Sequence, residues 1–99
     1  MNEIKIGTVE GTGAAINVPC GFIPDRVEVL NAEDGDTLDI WYAGMAEGTS
    51  VTITSAAATR GSNGISSYAG STTIAKGFTI GSGISESGKT LFYKAERQG

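Results

Sequence analysis

The sequence predicts an all-β domain, a β-sandwich or small barrel of about seven to eight short antiparallel strands, and three observations carry that reading. Short runs alternate apolar and polar residues with the period of a pleated strand. Turn formers punctuate those runs, with 15 Gly and 20 Ser and Thr in 99 residues. The residues that sustain long helices (Leu, Glu, Lys and Arg) are sparse, and no stretch holds a helical period beyond about two turns.

Taken in order, Glu3 to Val9 alternates, with Ile4, Ile6 and Val9 expected to face inward and Glu10-Gly11-Thr12-Gly13 ending the run. Residues 1–10 can serve as an edge strand or as an N-terminal arm. Ala14 to Val18 reads as a second strand stopped by Pro19, and Gly21-Phe22-Ile23-Pro24 as a corner, because Pro24 lacks a donor for a central ladder. Arg26 to Asn31 alternates cleanly. Glu33-Asp34-Gly35-Asp36 is a turn, since Asp-Gly accepts the positive φ of a tight hairpin. Leu38 to Tyr42 returns as its partner, with Leu38, Ile40 and Tyr42 expected on the core face and Trp41 with Asp39 on the other. Ala43 to Gly48 is a loop bracketing Met45, and Ser50 to Thr54 is a strand by β-branching. Ser55 to Gly64 is small, polar and weakly patterned and reads as a long loop; Ile65 to Ala69 is ambiguous. Gly77 to Gly81 is a strand with Phe78 and Ile80 inward, Ser82 to Lys89 a turn, and Thr90 to Ala95 the closing strand.

Ninety-nine residues make a single domain, 1–99, with a core modest enough that oligomerisation would supplement it. The formal charge is −4 and basic residues occur only singly, which argues against a nucleic-acid partner. No apolar run has membrane-spanning length and no signal peptide is visible, so the expectation is no membrane and synthesis in a cytoplasm. Cys20 has no second cysteine and no histidine to pair with, and reads as a small buried hydrophobe at a strand boundary.

One segment matches an enzyme motif. Gly83-Ile84-Ser85-Glu86-Ser87-Gly88-Lys89-Thr90 fits the phosphate-loop pattern at every specified position. Such a loop must open a helix whose N-terminus faces the anion, within a parallel sheet. Here the aromatic, strand-forming Leu91-Phe92-Tyr93 follows, so the expected structure is a Gly-Ser hairpin loop with Ile84 tucked over the core. The absence of histidine removes the commonest general base and metal ligand. Glu33, Asp34, Asp36 and Asp39 lack the ordered spacing of a calcium loop and read as a solvated hairpin tip. No catalytic residue, cofactor or metal is therefore assigned. Trp41 is a candidate interface anchor if its face is open, or a core residue if a second sheet covers it. Tyr68 is a contact residue or a plug for a loosely packed corner, and Met45 is the third interface candidate.

Several segments together resemble small virion proteins of tailed bacteriophages. They are Gly21 to Asn31 (GFIPDRVEVLN), Trp41 to Met45 (WYAGM), Gly77 to Ser82 (GFTIGS) and Leu91 to Ala95 (LFYKA). The resemblance spans most of the chain, and none of its motifs marks a catalytic residue. It implies a non-enzymatic head decoration (cement) protein on the capsid surface, with the major capsid protein and further copies of itself as partners, trimers foremost. A tail, baseplate or fibre component binding a receptor or glycan is the alternative. Nucleotide binding through Gly83 to Thr90 is a minor one.

Overall fold

A computed structural model describes residues 2–31, 37–53 and 57–98. The Glu33–Asp36 turn, its acidic residues and the segment 54–56 lie outside the described residues. Eight strands form: β1 (Asn2–Glu10), β2 (Ile16–Pro19), β3 (Arg26–Asn31), β4 (Thr37–Tyr42), β5 (Thr49–Ile53), β6 (Ala57–Tyr68), β7 (Gly77–Ile80) and β8 (Thr90–Gln98). Among the described residues there is no helix. The all-β class holds, and so does the expected number of antiparallel strands. One antiparallel sheet, ordered β1-β8-β3-β4-β5-β6-β7-β2, curls into a half-barrel whose edges are β1 and β2. Residues 2–10 are therefore the edge strand of the two expectations, paired along their length with β8.

Register fixes which side chains share a face. Val27 lies opposite Trp41 and Ala95, and Val29 opposite Asp39 and Tyr93, so these residues point into the concave side together. There they join Val18, Ile65, Phe78, Ile80, Ile84 and Leu91 in one core cluster. The Phe78 and Tyr93 rings meet edge to face at 5.5 Å, a geometry worth about 0.5–1.5 kcal/mol beyond burial. Phe78 and Ile80 are inward as expected.

Three expectations need correction. Ile4 and Ile6 face outward, 56% and 71% exposed, because they pair with Glu96 and Lys94 on the outer side of β8. Only Val9 of that trio packs against the core. In β4 the assignment of faces is inverted: Trp41 is 2% exposed and Tyr42 50%. The long loop expected to run to Gly64 is instead the first half of β6. Thr59 and Arg60 pair with Val51 and Ser50, and the register then jumps so that Ile65 faces Thr49. The bulge this creates contains Asn63, the one non-glycine residue with positive φ among the described residues. It packs against Gly81, where a Cβ would come within 2.3 Å of the Asn63 backbone.

Two connections run between the sheet edges and fasten to each other. The β1–β2 loop meets the β7–β8 loop through Gly11 N–H to Lys89 O (2.8 Å), Gly13 N–H to Ser85 O (2.8 Å) and Gly88 N–H to Gly11 O (3.1 Å). Gly11 is needed there, since a Cβ would lie 2.0 Å from the Glu86 carbonyl oxygen.

Candidate functional site

The phosphate-loop look-alike lies in the second of those connections. It leads into β8, a strand, so it opens no helix. Strands β7 and β8 are not neighbours in the sheet, so the segment is a crossover between distant strands rather than the hairpin expected. Six of its amides are already spent: Gly83 donates to Asn63, Ile84 and Ser85 to Gly81, Glu86 to Ile84, Gly88 to Gly11 and Lys89 to Glu86. A phosphate cradle needs those N–H groups pointing at the anion. Ile84, at 7% exposed, plugs the core from above, as expected.

The three candidate interface residues are not brought together on an open surface. Trp41 is a core residue whose indole N–H donates to Ala46 O at 3.4 Å. Met45 is half-buried against the same core, its sulfur accepting the Tyr42 amide at 3.3 Å. Tyr68 ends β6, two strands from β4, and is half-buried. Cys20 is a free, half-buried thiol packed against the core. Burial pushes its pKa up, with Lys5 pulling partly back, so the thiol stays protonated at neutral pH and is a poor nucleophile.

What the strands do assemble is the outer face of β1, β8, β3, β4 and β5. Cross-strand pairing lays it out as rows. Thr8, Phe92, Leu30, Leu38 and Ile53 form the first; Ile6, Lys94, Glu28, Ile40 and Val51 the second; Ile4, Glu96, Arg26 and Tyr42 the third. Five large apolar side chains here (Ile4, Ile6, Tyr42, Ile53 and Phe92) are at least 39% exposed. At roughly 200 Å² for a fully exposed large side chain, they alone present on the order of 500 Å². That is at the upper end of what a free monomer displays. Leu30, Leu38, Ile40 and Val51 are half-buried between them. A shallow depression of about 280 Å³, lined by Glu28, Leu30, Leu38, Phe92, Tyr93 and Lys94, sits within this face.

The charges on this face are organised. Arg26 donates through Nε to the Tyr42 hydroxyl (2.9 Å) and through a terminal nitrogen to Glu96 (3.1 Å), and pairs with Glu28. Its guanidinium also lies 5.4 Å from the centre of the Tyr42 ring. The Tyr42 hydroxyl first, then Glu96, hold the Arg26 pKa above its ordinary value, so the group is a fixed cation. This network orients Tyr42 with its ring outward. Arg26 and Lys94 stand among Glu28 and Glu96 within these rows, and Glu10 at the end of β1 brings the face to a net −1, so most of the chain's −4 resides elsewhere.

Sequence reasoning missed this surface because it assigned Ile4, Ile6, Leu38, Ile40 and Tyr42 to the core. The observed register pairs odd positions with odd ones, which places Trp41 and Asp39 on the side of Val27 and Val29; a two-residue turn at Asp34-Gly35 would instead pair odd with even, so the local alternation does not reveal the face. No family model, curated protein or solved structure matches the chain.

Proposed function

We propose that this chain is a non-catalytic structural protein of a tailed-bacteriophage virion, decorating the head shell and docking through the outer face of β1, β8, β3, β4 and β5. The observation that carries the docking role is the apolar grid, with its few charges largely paired, on a hydrogen-bonded sheet. A surface of this size, on the convex side of a hydrogen-bonded sheet and with only a shallow depression, suits a broad protein contact better than a small ligand. The particle assignment rests on the resemblance of Gly21 to Asn31, Trp41 to Met45, Gly77 to Ser82 and Leu91 to Ala95 to small virion proteins. The major capsid protein is then the partner, and the capsid surface the location. Binding only the mature lattice would stabilise it by mass action. A glycan-binding tail or fibre role would draw on an exposed aromatic rim at Trp41 and Tyr68, and the burial of Trp41 removes half of it.

The test is the copy number of this chain in purified particles, by gel densitometry against the major capsid band. A ratio near one to one is expected. A few copies per particle would move the protein to the tail or a vertex, and its absence would end the virion reading.

A further inference from the structure

The β1 edge of the sheet is open among the described residues. Gly11 N–H donates to Lys89 O, continuing the β1–β8 ladder past the Glu10–Thr90 pair. Hydrogen-bonded pairs alternate along an antiparallel ladder. Val9, Gly7, Lys5 and Glu3 therefore bond to β8, while the N–H and C=O groups of Ile4, Ile6 and Thr8 point away from it. No strand lies on that side among the described residues. A nine-residue edge with open backbone groups and two exposed isoleucines is a template for another strand. The other edge differs: β2 has four residues and carries Pro19.

We propose that β1 pairs antiparallel with β1 of a second copy, about a two-fold axis passing through Ile4. The charges select both the occupant and the register. Two copies related by a two-fold axis must pair residues of equal parity to keep the faces aligned. Centring on Ile4 sets Glu3 opposite Lys5 of the second copy, twice, and Ile4 opposite Ile4. Centring on Lys5 would oppose the two lysines, and centring on Ile6 would leave Glu3 opposite Val9. In the Ile4 register, Ile4 occupies a hydrogen-bonded position and Glu3–Lys5 the intervening one, where side chains approach most closely. Glu3 is held only loosely at present, 3.9 Å from Arg97, and Lys5 is exposed. The contact is two-fold, so it yields a dimer rather than a trimer, and joins the two outer faces edge to edge. It does not depend on the shell-binding role.

Sedimentation equilibrium of the purified protein tests it. At about 100 µM, wild type should show twice the 10.1 kDa chain mass. Ile6→Pro removes an outward N–H while sparing every bond to β8, so it should be a folded monomer with unchanged β circular dichroism. Glu3→Lys and Lys5→Glu each turn two attractive pairs repulsive and should weaken dimerisation about tenfold or more. An equimolar mixture of those two variants should recover the dimer, because each supplies the charges the other lacks. A monomeric wild type, a dimeric Ile6→Pro protein or failure of the mixture to re-associate would each overturn the proposal.

Discussion

The two sides of β4 do opposite work, and the more apolar side is not the one in the core. Inward, Trp41 and Asp39 are each 2% exposed. Outward, Leu38 and Ile40 are half-buried and Tyr42 is half-exposed. The inner side has the more polar composition of the two, because Asp39 accepts from Ser50 Oγ (3.3 Å) and Arg60 Nε (3.0 Å) deep in the sheet. Hydrophobicity along a strand therefore does not identify the core here. What identifies it is the curl of the sheet and the connections that cover its concave side.

Substitutions on the two sides should separate these roles. The largest expected effect is Trp41→Ala, which empties the core and should cost about 3–5 kcal/mol in urea unfolding. Gly81→Ala forces a methyl group into the Asn63 backbone at the β6 bulge and should cost about 1–3 kcal/mol by the same measurement. Asp39→Ala leaves Arg60 and Ser50 without their shared acceptor, and should cost a similar 1–3 kcal/mol. The outer side should behave differently. Phe92→Ser and Ile53→Ser should each cost about 1–2 kcal/mol, less than Trp41→Ala, and reduce occupancy on particles in a co-sedimentation assay. If the outer substitutions unfolded the protein as Trp41→Ala does, the distinction between a core side and a docking side would fail. The smallest effect concerns Cys20: burial raises its pKa above the ordinary thiol value. Its modification by a thiol reagent in native buffer should be slower than in urea at pH 8, since the thiolate is the reacting form.

The fold class was legible because turn residues and β-branched runs report strands locally. Seven strands stand at nearly the places the sequence predicts, and Ile65 to Ala69 carries no clear alternation. The first half of β6 was hidden because Thr59, Arg60, Gly61, Ser62 and Asn63 offer no apolar alternation, and its pairing with β5 is supplied by backbone bonds. The site was less legible than the fold. Ile4 and Ile6 look like core residues in isolation, and only their pairing with Glu96 and Lys94 reveals that they lie outside. That pairing is a fact about residues some ninety positions apart, which no local window contains.

The same pairing bears on how the molecule comes into being. β8 lies between β1 and β3, so the first strand of the sequence has no neighbour until the last has been made. Asn2 must find Gln98, and Arg26 must find Glu96. Contacts of such long sequence separation make folding slow, because loop-closure entropy is lost before the ladder repays it. Strands β3, β4 and β5 can pair as they are made, whereas β1 has no ladder partner until β8 is present, so β1 is the last strand to join the sheet.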